Sequence, residues 1–235
     1  MKEQNKECSN DLAARASLRF SRSCSRLSGL LGFSFVCLFS IGVILPPNLA
    51  FASDKLSQAK ILIQTGNFSG AETILRKLDD GKNAEVLLIL GNLFNGTSNY
   101  KIDYKKSFSL YRQSAGLGNA EAAYNIGVLF FNGRGVPQNY QKAFEWYSLA
   151  SQSGYPPAQN NLGFLHQKGM GVPQSNSNAY GWYSIAAANG SKAGLRNRDI
   201  LLAQLLEDEG AEVVSEIQTK ALQCVQNNYT NCFGE

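Results

Sequence analysis

The chain has 235 residues, of which 44% are hydrophobic and 17% are charged, and its formal net charge is +4. Six of the 22 basic and three of the 18 acidic residues lie in the first 52 positions. The remaining 16 basic and 15 acidic residues carry a net charge of about +1. Because these charges nearly cancel, they produce no strong positive potential. The sequence therefore excludes nucleic acid and anionic membranes as partners held by charge alone.

The first 52 residues have the layout of a secretory signal peptide. A basic region with six lysines and arginines precedes an uncharged apolar run at 30–45 and the pair Pro46-Pro47. Ala50-Phe51-Ala52 then fits the small-x-small rule for signal peptidase, which predicts cleavage after Ala52 and a periplasmic or secreted protein. The alternative is an uncleaved anchor, although a run of about 16 residues is short of the roughly 20 needed to span a bilayer. We expect no stable membrane span after cleavage.

Residues 53–83 are predicted to form a pair of helices. The stretch Ala59–Leu78 turns at Gly66, which is followed by Phe68 and Ala71. This spacing resembles a tetratricopeptide (TPR) helix pair.

Three consecutive units of 36 residues follow, at 84–119, 120–155 and 156–191. Their markers recur in phase: Gly91, Gly127 and Gly163; Tyr111, Tyr147 and Tyr183; Gly118, Gly154 and Gly190. In the second unit, Ala120–Phe131 and Tyr140–Ser153 have the apolar spacing of two helices. Small residues such as Gly127 and Ala143 are expected to let the two backbones approach, and neighbouring units must stack to bury the rest.

The second and third units share Gly-x-Gly-Val-Pro-Gln, at 133–138 and 169–174, and Trp-Tyr-Ser, at 146–148 and 182–184. This pattern resembles the Sel1-like repeat, a relative of the TPR. The first unit departs from it at 96–100, at Ser107 and at Leu110, so its loop is expected to differ. The resemblance implies an all-α, right-handed α-α superhelix of about five helix pairs. It also implies a non-enzymatic, exported adaptor that binds a protein partner in the cell envelope.

Residues 192–235 are predicted to cap the solenoid with helices at 191–206 and 211–225. Cys224 and Cys232 are the only cysteines after position 52, and an oxidising compartment would join such a pair. We expect a disulfide that fastens the tail to the last helix, with two free thiols as the alternative. A metal site lacks further ligands, because His166 is the only histidine, and no cofactor is expected.

Few residues are candidates for catalysis. His166 occupies the register position of Phe94 and Phe130, so it is expected to pack between helices. Ser57-x-x-Lys60 matches the nucleophile motif of penicillin-recognising enzymes, but the companion motifs are missing. The alternatives to an adaptor are a cell-wall or β-lactam hydrolase and a polysaccharide-binding module that uses Trp146 and Trp182. Cysteine-rich Sel1-like proteins linked to β-lactams carry a disulfide in each repeat, whereas this chain does not.

By analogy with the TPR, the first helix of each pair lines a concave groove. Aromatic side chains there would supply contact area, and amides would pair with a peptide backbone. We call the predicted residues the groove row: Glu85, Leu88, Asn92, Asn95, Glu121, Tyr124, Val128, Phe131, Asn160, Phe164, Gln167 and Lys168.

Overall fold

The computed structural model describes residues 47–96, 100–230 and 232–234. These residues form ten α-helices and a short 3-10 helix, with no strand, which confirms the predicted all-helical solenoid. The α-helices are α1 Pro47–Gln64, α2 Phe68–Leu78, α3 Ala84–Phe94, α4 Tyr104–Gly116, α5 Ala120–Asn132, α6 Tyr140–Gln152, α7 Pro156–Lys168, α8 Asn176–Ala188, α9 Lys192–Asp208 and α10 Ala211–Gln226; the 3-10 helix is Cys232–Gly234.

Polar caps set where the helices of the repeats begin. Asn119 and Asn139 accept hydrogen bonds from the backbone N–H groups of Ala122 and Lys142, at 2.8 and 2.9 Å. These bonds satisfy amide groups that have no partner within the helix. Helix α7 lacks such a cap and begins instead with two prolines, which need no donor partner in the first turn. The local sequence therefore determines the helix starts.

The loop between the two helices of a repeat is closed by the same backbone bond in all three units. The amides of Asp103, Asn139 and Ser175 donate to the carbonyls of Phe94, Phe130 and His166, at 2.9, 2.9 and 3.0 Å. The first unit keeps this bond although its loop sequence differs. Residues 97–99 of that loop lie outside the described part, so the prediction that the loop differs remains open there.

A tyrosine of the second helix lies against a glycine of the first in each repeat. A Cβ atom on Gly91 or Gly127 would lie 2.5 Å from the ring of Tyr111 or Tyr147, and on Gly163 it would lie 2.7 Å from Tyr183. Tyr111, Tyr147 and Tyr183 are all at most 1% exposed. The close approach predicted from the small residues is therefore present, and the tyrosine ring fills the space that the glycine leaves.

Ser107 has a structural role at the position where the other repeats carry Ala143 and Ala179. Its hydroxyl is buried and donates a 3.0 Å hydrogen bond to the carbonyl of Gly91. This bond satisfies the buried hydroxyl. The departure from the repeat pattern is thus accommodated within the helix pair.

Adjacent repeats touch through the second glycine of the Gly-x-Gly loops in the second and third units. Gly135 has φ +74°, and a Cβ atom there would lie 2.7 Å from the backbone of Tyr104; Gly171 has φ +73° and has the same relation to Tyr140. Both the left-handed backbone and the lack of space require glycine. The Gly-x-Gly motif is therefore an inter-repeat contact as well as a turn.

The C-terminal segment does not continue the repeat geometry. Helix α10 packs mainly on α8 rather than on α9, its partner in sequence. The predicted disulfide is confirmed: Cys224 in α10 bonds Cys232, with 5.1 Å between their Cα atoms. The bond holds the tail over α8, where the Phe233 ring lies directly against the Cα of Gly181 and edge-on to Trp182.

The basic region and apolar run of the predicted signal peptide lie outside the described residues. Residues 47–52, the last six of the predicted signal, are the first residues of α1. None of the helices in the described ranges is sufficiently long and apolar to cross a bilayer.

Candidate functional site

The phenols of the repeat tyrosines reach side chains of the groove row. The hydroxyl of Tyr111 donates to Asn92 and accepts from the amide of Asn95, both at 2.6 Å. The hydroxyl of Tyr183 donates to Gln167 at 3.0 Å. Because the rings are rigidly packed, these bonds fix the orientation of the amides on the first-helix side of the solenoid.

Burial changes the acidity of these phenols. Desolvation raises the pKa of Tyr111 and of Tyr183 to about 12. It also raises the pKa of Tyr147 well above its usual range, while a hydrogen bond with Asn161 opposes that rise. The phenols therefore stay protonated near neutral pH and act as hydrogen-bonding groups.

Asn161 belongs to this network, although sequence reasoning missed it. Burial raises the pKa of the Tyr124 and Tyr147 phenols, and the Asn161 side chain opposes that rise. Asn125, one unit earlier, donates to Asn92 at 3.4 Å. The signal was the recurrence of asparagine at 125 and 161, 36 residues apart, one position after members of the groove row.

Aromatic side chains pack on this side both within the second unit and between the second and third units. Tyr124 packs between Tyr147 and Tyr155, with ring centroids 5.6 and 5.4 Å away. Phe131 contacts Phe164 of the next unit at 6.0 Å. Phe131, Phe164, Tyr147 and Asn161 line a pocket of 260 Å³. The structure thus brings two predicted aromatic residues to one pocket.

A larger pocket of 560 Å³ lies toward the N-terminal end of the same side. Four groove-row residues line it together: Glu85, Leu88, Asn92 and Glu121. Its other walls include Lys60 and Ile63 of α1 and Phe68 of α2, which sequence reasoning did not assign to a site. Lys60 bonds the Glu85 carboxylate at 2.6 Å, which joins α1 to the first repeat.

The remaining predicted residues lie outside these two pockets. Asn160 accepts a 2.9 Å hydrogen bond from Asn197 of α9. Gln167 is held by Tyr183, as described above, and Lys168 is exposed at the end of α7. The amides of Asn92, Asn160 and Gln167 are therefore held in place by intramolecular hydrogen bonds.

The residues considered for catalysis take part in packing or in an ion pair. His166 is 3% exposed and lies edge-on to Phe144, at 5.8 Å between ring centroids, as its register position predicts. Lys60 of the Ser57-x-x-Lys60 motif is the ion-pair partner of Glu85. Within the ranges that the structure describes, no group of three or more His, Cys, Asp or Glu side chains is placed to hold a metal ion.

Trp182, one of the two tryptophans that the polysaccharide-binding alternative uses, is buried. Its side chain is 1% exposed because Phe233 and the cystine of the tail pack against it. Trp146, at the same position of the preceding unit, stays partly exposed. Stacking of a sugar on both tryptophans is therefore excluded in this fold.

Comparison with known proteins identifies the repeats. The Sel1 repeat model matches residues 84–119, 120–155 and 156–191, the units that the sequence markers delimit. No similar sequence was found among curated proteins.

Solved structures share the fold. A Sel1 repeat protein from Oxalobacter formigenes is 20% identical, with a TM-score of 0.59, over 74% of this chain and 72% of that one. The protective antigen c5321 of uropathogenic Escherichia coli, which has an SLR fold, is 22% identical, with a TM-score of 0.66, over 78% of this chain and 40% of that one. The chain thus corresponds to less than half of c5321. Three matched repeats and this likeness of fold show that the chain contains a Sel1-like repeat solenoid.

Proposed function

We propose that this protein is a non-enzymatic, exported adaptor that binds a protein partner through its groove row. The observation that carries the proposal is the alignment of aromatic side chains, oriented amides and two pockets along the first helices of successive repeats. Sel1 repeats typically serve as protein-interaction modules. Partly exposed aromatics beside oriented amides suit a peptide or helix, because rings supply area and amides pair with backbone groups.

The chemistry of the row favours binding over turnover. Its phenols have raised pKa values and are held in hydrogen bonds, so they do not provide a base near neutral pH. The lone histidine is buried against Phe144, away from the nucleophile motif in α1. None of these features supports the hydrolase alternative.

Export is supported by two features of different kinds. The order of basic region, apolar run and Ala50-Phe51-Ala52 predicts a signal peptide. The disulfide between Cys224 and Cys232 is the kind of bond that persists in the periplasm or outside the cell.

Site-specific photocrosslinking in the native host tests the binding surface. A photoreactive phenylalanine at Phe164 lies in the groove row, whereas the same residue at Leu149, which is 46% exposed on α6, lies on a second helix. We expect one envelope or secreted protein to crosslink at 164 and not at 149. Equal crosslinking at both positions, or none at either, contradicts the proposal.

Terminal sequencing of the protein isolated from the same cells tests export. The proposal expects the envelope or secreted fraction to contain a chain beginning at Ser53, which retains Ser53–Gln64 of α1. An intact N-terminus in the cytoplasmic fraction contradicts export, while leaving the adaptor function to the crosslinking result.

A further inference from the structure

The 560 Å³ pocket at the N-terminal end of the groove row combines an apolar floor with an acidic rim. Ile63, Phe68 and Leu88 provide apolar walls, and Glu85 and Glu121 stand at the same pocket. Leu88 is only 7% exposed, so the floor is firmly packed. The pocket draws on α1 and α2 as well as α3 and α5, so the TPR-like pair and the first two repeats build it together.

The charges of the pocket do not balance. Lys60 neutralises Glu85 in an ion pair whose side chains are 47% and 50% exposed. Glu121 has no ion-pair or hydrogen-bond partner among the described side chains, although it is only partly exposed. One negative charge therefore remains beside an apolar floor.

The position of Glu121 explains why the fold tolerates this carboxylate. Glu121 is the second residue of α5, where the helix N-terminus stabilises a negative charge. Burial and then the field of Glu121 raise the pKa of Tyr155, which packs against Tyr124 of the groove row, to about 12. Its oxygens are free to accept hydrogen bonds from a cation that enters the pocket.

The opposite end of the groove row has the opposite charge. Lys168 is exposed at the end of α7, and no acidic side chain among the described residues pairs with it. The two ends of the groove row therefore carry opposite charges: the N-terminal end is acidic and the C-terminal end is basic.

We infer that the pocket receives a lysine or arginine side chain of the protein partner, placed next to an apolar residue of the same segment. The aliphatic stem lies along Phe68 and Leu88, and the cationic head bonds Glu121. Long basic side chains suit this arrangement because their methylene groups cover apolar surface while the head keeps polar contacts. This inference rests on the proposed function and adds the chemistry of the bound segment.

The inference can be tested with a positional-scanning library of immobilised dodecapeptides. The protein is expressed from the complete chain and purified, and its binding to each peptide is measured. The best binder is resynthesised with lysine, norleucine or glutamate at its strongest position, and the affinities are compared. Norleucine keeps the apolar stem of lysine and removes the charge. We expect lysine to bind at least about tenfold more tightly than norleucine at low salt, and this ratio to fall as salt rises.

Two matched variants locate the preference. Glu121→Gln, which keeps the size of the side chain, is expected to reduce the lysine-over-norleucine ratio at least about fivefold. Glu145→Gln, the same change at an exposed carboxylate of α6 outside the groove row, is expected to leave the ratio unchanged. Circular dichroism of both variants checks that they remain folded. A further variant, Glu85→Gln, removes the other carboxylate of the same pocket.

Three results would overturn the inference: no peptide binding, a preference for glutamate, or a lysine preference that survives Glu121→Gln. The two proposals fail separately. A partner that crosslinks at 164 while peptides show no basic preference removes this inference and leaves the adaptor function standing. Absence of that crosslink removes the adaptor function first.

Discussion

The repeats and the C-terminal segment use the same contact in two different ways. In each repeat a tyrosine ring of the second helix covers a glycine of the first, as Tyr147 covers Gly127. At the C-terminus the ring of Phe233, in the tail, covers Gly181 of α8. An aromatic ring on a helical glycine buries apolar area at close range in both regions.

The difference lies in what positions the ring. Tyr147 is part of a capped helix of 13 residues, so the helix itself places the side chain. The tail has left-handed backbone at Asn228, Tyr229 and Phe233, conformations that non-glycine residues adopt rarely. Its position therefore depends on the disulfide and on contacts such as the 3.0 Å hydrogen bond from Asn189 to the Tyr229 hydroxyl. Regular repeats obtain order from helix continuity, and the tail obtains it from a covalent bond.

The largest expected effect comes from filling a glycine position in a repeat. Gly127→Ala places a methyl group 2.5 Å from the Tyr147 ring, which is buried and cannot move away. We expect the free energy of unfolding to fall by about 3 kcal/mol, at the upper end for an overpacked core. Urea denaturation followed by circular dichroism measures it.

Gly116→Ala is the matched control for that substitution. Gly116 is also helical, but no atom lies within 4 Å of its added methyl group. Alanine there is expected to stabilise the protein by up to about 1 kcal/mol through helix propensity. Equal destabilisation by both variants would show that the tyrosine contact is not the cause.

The tail is expected to lose its position when the disulfide is removed. The double variant Cys224→Ser, Cys232→Ser should lower the free energy of unfolding by about 2–3 kcal/mol, because the unfolded chain regains the freedom of a short loop. Trp182 fluorescence should shift to the red as Phe233 leaves. Wild type under reducing conditions serves as the control and should behave like the variant; an unchanged stability in both would contradict the account of the tail.

High pH is expected to weaken the repeats. Burial raises the pKa of Tyr111 and Tyr183 to about 12, whereas the unfolded chain has values near 10. The contribution of these two tyrosines to the free energy of unfolding is present in full below pH 10. It is lost as the pH rises toward 12, because the phenols of the unfolded chain release their protons first. Each such tyrosine should cost about 1.4 kcal/mol per pH unit in that window. Denaturation midpoints of wild type and Tyr111→Phe should show a smaller slope for the variant; identical slopes would contradict the prediction.

The smallest expected effect concerns a contact that the third repeat lacks. Lys106 lies 3.9 Å from the Phe94 ring centroid and Lys142 lies 5.5 Å from that of Phe130. The third unit has His166 and Asn178 at these positions, so both partners change together. Lys106→Gln should destabilise the protein by about 0.5–1 kcal/mol, whereas Lys105→Gln, on the adjacent exposed residue, should have no effect beyond error. Equal effects of the two substitutions would exclude a specific role for the ring contact.

Sequence periodicity was sufficient for the parts of the fold that repeat. The repeat units, the helices of the second unit and the place of His166 all follow from markers 36 residues apart. The disulfide was predictable because only two cysteines follow position 52. These features depend on local spacing, which a single sequence displays.

The features that the sequence did not predict depend on contacts between segments that are not related by the 36-residue period. The packing of α10 on α8, the contact of Phe233 with Gly181 and the burial of Trp182 all result from the path of a non-repeating tail. The ion pair of Lys60 with Glu85 joins a TPR-like pair to a Sel1 repeat, so no common period relates the two residues. The amide residues of the groove row could be predicted from the sequence. Their hydrogen bonds to tyrosines could not, because those bonds depend on how the second helices pack.

The most direct test of the central claim is the affinity of the crosslinked partner for a variant with alanine at Tyr124, Phe131 and Phe164. The control is Leu149→Ala, Leu222→Ala, two exposed leucines on second helices of their pairs. The account predicts that the triple variant, with its helical circular dichroism retained, binds the partner at least about 30-fold more weakly, as expected when aromatic anchors are removed. The control should bind as wild type does. A folded triple variant with wild-type affinity would contradict the assignment of the groove row as the binding surface.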